Sequence, residues 1–165
     1  MNINYNENYD RLELIREMET EFNNNNIQFF STLSFHPDPV IRTRSICILA
    51  DIGGEQAVET ISKALMEDGD DLVRHEAAFS LGQLGFTSGI KTLSYAVEND
   101  PSIFVRHEAA VALGVIGSEA ARPVLVTALS DPSEEVKKSA NVALANLDYI
   151  LTSKKINKFT RMTGG

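Results

Sequence analysis

Apolar residues recur along most of this chain at the three-and-four spacing of amphipathic helices, and no segment shows the period-two alternation of a strand. The pattern also repeats itself. The block LVRHEAAFSLGQLG at 72–85 returns as FVRHEAAVALGVIG at 104–117, 32 positions on. The same step backwards reaches VIRTRSICILADIG at 40–53, and a step of 31 forwards reaches VKKSANVALANLD at 136–148. A turn signal precedes each block at a fixed offset: His36-Pro37, Asp68-Gly69, Asp100-Pro101 and Asp131-Pro132. Asp before Pro suits a helix start, because proline lacks the amide that the first turn leaves unbonded.

Shorter amphipathic stretches lie between the blocks, at 56–66, 87–97 and 119–129, with another at 27–33. Each predicts the first helix of a pair whose second helix is the repeated block. The fold class expected is therefore all-α: an α-solenoid of four helix pairs, since stacked pairs share one continuous core that a lone pair cannot form. Leu49, Leu81, Leu113 and Leu144 occupy equivalent places and are expected to form the spine of that core, with Ala77, Ala78, Ala109 and Ala110 allowing close helix approach. Arg42, Arg74, Arg106 and Lys137 recur in the first turn of the second helices and are read as a structural ladder to the turn aspartates. Leu12, Ile15, Met18 and Phe22 predict an N-terminal capping helix over residues 10–22. The expected organisation is a cap and Asn-rich connector at 1–26, repeats at 27–148, and a mobile basic tail at 149–165.

Two repeats carry chemistry that packing does not require. With Leu81 at the centre of the buried face and 100° per residue, Ala77, Ala78 and Leu84 fall within about 60°. His75 lies about 120° round one way and Glu76 about 140° round the other, so both leave the core and flank Phe79. His107 and Glu108 repeat the arrangement, whereas the outer repeats have Thr43-Arg44 and Lys138-Ser139 at these places. Neighbouring helices pack roughly 8–10 Å apart, close enough for imidazoles from two repeats to share a metal. Two His with one or two carboxylates is the ligand set of non-haem iron oxygen chemistry, so His75, Glu76, His107 and Glu108 are the expected metal ligands. A solvated, duplicated surface pair is the competing reading. Cys47, at the place of Phe79 and Val111, is read as inert packing, with a reactive thiol facing the groove as the alternative, and His36 as a turn residue.

Charge narrows the partners. The chain carries −8 overall, and removing the four cations after Tyr149 (Lys154, Lys155, Lys158 and Arg161) leaves −12 on residues 1–148. Such a body is a poor nucleic-acid binder and attracts basic proteins or amines. The polar, acidic start MNINYNENYD has neither signal nor transit character, no apolar run approaches a bilayer span, and a single cysteine fits a reducing compartment. A cytoplasmic protein with no membrane partner is expected. No P-loop, GxGxxG, GxSxG or CxxC is present.

The doubled RHEAA…LG motif with a 32-residue period resembles the HEAT-type repeats of deoxyhypusine hydroxylase. In HEAT-type solenoids the second helices line the concave face, which implies that the His-Glu side chains look into a groove. The hydroxylase family places His-Glu in the two middle repeats of each of two four-repeat halves, which face each other around two irons. His75, Glu76, His107 and Glu108 match the motif positions of one half. The resemblance implies a di-iron monooxygenase acting on a lysine-derived amine of a basic protein substrate. It also implies a homodimer that restores the second half and holds two irons, with Glu76 and Glu108 serving as ligand, bridge or substrate anchor. The general pattern VRxxAAxALGxIG is also similar to phycobilisome lyase-type HEAT proteins, and a non-catalytic adaptor gripping a partner is the alternative.

Overall fold

The computed structural model describes residues 11–155, and every regular element among them is helical. The capping helix α1 spans Arg11–Asn23. Four pairs follow: α2 (Ile27–Leu33) with α3 (Pro39–Ile52), α4 (Ala57–Glu67) with α5 (Asp71–Leu84), α6 (Ile90–Asn99) with α7 (Ile103–Ile116), and α8 (Arg122–Ala128) with α9 (Glu134–Lys155). The second helices α3, α5, α7 and α9 pack side by side as one layer, with α2, α4, α6 and α8 against them. None of the described helices is long and apolar enough to cross a membrane.

The starts and stops follow from local chemistry. Asp38 and Asp70 cap α3 and α5, each carboxylate accepting the amide two residues on at 2.9 Å. Left-handed Gly85 (φ 72°) and Gly117 (φ 63°) end α5 and α7, a conformation that glycine reaches without steric cost. The fourth block carries Asp148 at the glycine position and lacks this stop. Helix α9 therefore runs on to Lys155, which corrects the expected start of a tail at residue 149. Ile150 is buried, with its Cδ1 where a side chain at Gly117 would begin, and Asp148 accepts Arg122 at 2.7 Å. The remainder of the expected tail, 156–165, and residues 1–10 lie outside the described residues.

One core runs through the stack, with Leu49, Leu81 and Leu113 fully buried. Leu144 is only partly buried, unlike its counterparts, because α9 ends the described stack; Leu147 is the fully buried leucine there. Ala77, Ala78, Ala109 and Ala110 are fully buried, and close approach also falls on two glycines. A Cβ at Gly82 would stand 2.9 Å from Ala112 Cα, and one at Gly114 2.7 Å from Ala143 Cα.

The arginine ladder is present at three rungs. Arg42 grips Asp68 through two nitrogens (2.7 and 2.9 Å), Arg74 grips Asp100 (2.8 and 3.0 Å) and Arg106 grips Asp131 (2.9 and 3.1 Å). Each also donates to a carbonyl of its own turn, at His36, Asp68 and Asp100 respectively. Lys137 instead pairs with Glu134, one turn before it, so it is not a rung. His36 does the turn work of the later aspartates: its Nδ1 accepts the Asp38 amide at 3.0 Å, as Asp68 accepts that of Asp70 at 2.9 Å. Burial, followed by the charge on Arg42, lowers its pKa against the opposing pull of Asp38.

Arg106→Ala, which strands Asp131 in a largely buried pair, is expected to cost about 3–5 kcal/mol in denaturant unfolding, and Leu81→Ala about 2–5 kcal/mol. Lys138→Ala, at an exposed position, is expected to stay within about 0.5 kcal/mol.

Candidate metal centre at the repeat boundaries

Helix geometry sets the two side chains of each dipeptide about 100° apart, so that each reaches toward a different neighbouring helix. His75 points forward from α5, and its Nε2 lies 3.5 Å from Glu108 Oε2 on α7. Glu76 points backward to α3, where it lines one pocket with Cys47. His107 points forward to α9, its Nδ1 2.6 Å from the Ser139 hydroxyl. Imidazole and carboxylate thus meet across a repeat boundary, not within one dipeptide, and the structure brings His75 to Glu108 rather than to His107.

Electrostatics follows the pairing. The Glu108 hydrogen bond and charge raise the His75 pKa above the usual imidazole value, against a smaller opposing effect of burial. Burial first, and then the charge of Glu108, push the Glu76 carboxyl upward, with His75 and the thiol working against them. Burial, Glu76 and Asp51 push the Cys47 thiol up, so it is a poor nucleophile although exposed. Between α3 and α5 a pocket of about 450 Å³ opens beside this pair, lined by Ile15, Val40, Leu72, Arg44 and Glu76 among others.

Among the described residues no group of three or more His, Cys, Asp or Glu converges as a metal site. The donors that do converge form a pair. Two atoms bound to one ion at about 2.1 Å and about 90–110° apart lie about 3.0–3.4 Å from each other, close to the observed His75–Glu108 distance. An imidazole nitrogen and a carboxylate oxygen are donor types that first-row divalent metals, iron among them, accept.

Residues 58–145 match the family model for HEAT repeats. The chain belongs to the HEAT-repeat family. Its structure resembles that of human deoxyhypusine hydroxylase, solved in complex with glycerol, with 32% identity, a TM-score of 0.67 and coverage of 72% of this chain. This HEAT-repeat chain spans 42% of that hydroxylase chain. The complex of CpcE and CpcF of phycocyanin lyase from Nostoc aligns at 19% identity with a TM-score of 0.59, covering 79% of this chain and 66% of that one, and supports the fold alone. No curated protein matches the sequence.

Sequence periodicity set all four His-Glu residues off the core, where they are half-buried between neighbouring second helices, but it missed Ser139. A serine in a fourth repeat that lacks the dipeptide carries no signal until the neighbouring imidazole is seen beside it.

Glu108→Gln is expected to lower the His75 pKa in an NMR titration. The paired, protonated His75 adds stability in full below its unfolded value of about 6.5, and this is lost as pH rises through the higher folded value. Stability of the variant is therefore expected to depend less on pH in that window; an unchanged His75 titration would contradict the pairing.

Proposed function

We propose that this HEAT-repeat protein is a deoxyhypusine hydroxylase-like, iron-dependent monooxygenase acting on a lysine-derived amine carried by a protein, with its site completed by a second copy. The observation that carries the reading is the convergence of His75 with Glu108 across a repeat boundary, in a chain 32% identical to a hydroxylase of that name. Bound iron would supply dioxygen activation for C–H hydroxylation, with electrons from an external reductant.

The protein's own residues have separable tasks. His75 and Glu108 would hold the metal from adjacent repeats, and His107 offers a further imidazole. Glu76 and the acidic body would draw a cationic amine toward the face. Leu72, Phe79 and Phe104 stand exposed beside the dipeptides, one turn away on the same helix faces, and would exclude water once covered. A two-fold partner would cover them and oppose one set of His-Glu residues with another, two irons being held per dimer.

A second reading draws on the same apolar side chains. Leu72 is 62% exposed and Phe104 70%. Such residues on one layer also suit a non-catalytic adaptor that binds a partner protein.

Metal counting and light scattering, with and without chelator, separate the two. The expected result is an iron-stabilised dimer with two irons, largely emptied by His75→Ala or Glu108→Ala and untouched by Thr43→Ala. Iron binding is expected to weaken as pH falls through the raised His75 pKa, since proton and metal compete for one nitrogen. A strict monomer that takes up no iron would leave the adaptor reading.

A further inference from the structure

The two imidazoles of the candidate centre are held differently, and the difference lies in a residue outside the dipeptides. Ser139 on α9 is only 6% exposed, and its hydroxyl has two close neighbours: the Glu135 carbonyl oxygen at 2.8 Å and His107 Nδ1 at 2.6 Å. A hydroxyl has one proton, and a carbonyl can only accept. With that proton donated to Glu135, the second contact is a hydrogen bond only if His107 Nδ1 carries a hydrogen and donates it to Ser139 Oγ. Neutral imidazole carries one N–H, so Nε2 is then left with its lone pair bare. The back-bond to residue i−4 is a habit of serine inside helices, so the hydroxyl proton is committed before the imidazole arrives.

We propose that Ser139 is a positioning residue that locks His107 in the Nδ1–H form and presents Nε2 as a ready metal donor. The placement supports this. Ser139 occupies in the fourth repeat the position that Glu108 occupies in the third, so His107 meets a hydroxyl where His75 meets a carboxylate. A carboxylate at this place shares the imidazole Nε2, whereas Ser139 engages Nδ1 and leaves Nε2 clear. Fixing the far ring nitrogen of a metal-binding histidine orients the ring and sets its tautomer before metal arrives. The relevance to iron rests on the proposed function; the tautomer itself does not.

The test uses full-length protein with 15N-labelled histidine, stripped of metal by chelator and held well above the ordinary imidazole pKa of about 6.5. Long-range 1H–15N spectra distinguish a protonated Nδ1 from a protonated Nε2. Wild-type His107 is expected to show protonated Nδ1 and bare Nε2, Ser139→Ala to lose that preference, and Ser139→Thr to restore it, with circular dichroism confirming that each variant is folded. Fe(II) titration of the same samples is expected to give roughly 10–100-fold weaker binding for Ser139→Ala and near-wild-type binding for Ser139→Thr. A protonated Nε2 in the wild type, or a spectrum unchanged by Ser139→Ala, overturns the proposal. Unaltered Fe(II) affinity in a Ser139→Ala variant whose tautomer has changed overturns its role toward the metal. Wild-type protein that binds no Fe(II), yet shows the Nδ1–H form lost in Ser139→Ala, overturns the oxygenase reading and leaves the tautomer lock standing.

Discussion

The register between successive repeats depends on a bidentate arginine–aspartate grip made largely out of water. Each rung joins the first turn of one second helix to the turn that begins the next, so an arginine fixes both the spacing and the rotation of its neighbour. A planar guanidinium meeting two carboxylate oxygens allows little angular freedom, which a lysine could not impose. Arg74 and Arg106 immediately precede His75 and His107 in sequence, so the clamp lies next to the candidate centre. A second constraint acts further along the same helices, where Gly82 meets Ala112 and Gly114 meets Ala143 with no room for a side chain. Held at two levels, α5 and α7 have one mutual register, and that register puts His75 beside Glu108.

A repeat boundary is a natural place for this chemistry because one repeat cannot supply it alone. Histidine and glutamate are adjacent in sequence but about 100° apart around the helix, so one reaches forward and the other back. Two such repeats in tandem yield one cross-boundary pair and leave two unmatched ends. Those ends meet different chemistry: Glu76 finds a thiol and His107 a hydroxyl. Of the two imidazoles, only His75 faces an anionic partner within salt-bridge reach, and its affinity for a proton is raised accordingly.

Most of the fold was legible in the sequence because the repeat supplies four readings of one structural unit. The helix pairs, the presence of the capping helix, the leucines at 49, 81 and 113, and three of the four ladder positions all follow from periodicity, caps and turn residues. The capping helix, however, buries Leu14 and Met18 and leaves Leu12 and Phe22 exposed. What periodicity misses is the consequence of breaking it. Asp148 in place of a left-handed glycine lengthens α9, and the end position of that helix leaves Leu144 half-covered. Lys137 stands where the ladder would continue, yet it turns to its own helix. The direction of each His and Glu could be derived from 100° per residue, but their partners could not. Those depend on how far one helix is displaced along the next, which glycine crossings set and a helical wheel does not contain.

The same displacement explains why a residue as plain as Ser139 acquires a chemical task. At its position in the third repeat stands Glu108, long enough to reach back toward the preceding imidazole of His75. Serine is shorter, and its hydroxyl is already tied to the carbonyl four residues earlier, so it can only receive what the imidazole brings to it. A hydroxyl so committed reads as helix packing in the sequence of α9 alone. Beside an imidazole fixed by the register of α7 against α9, it becomes a one-way hydrogen-bond acceptor, and the ring must turn its proton toward it. The geometry at this boundary thus follows from three separate constraints: a back-bonded hydroxyl, a glycine crossing and an arginine clamp. Each is ordinary by itself, and each limits where the next can place an atom.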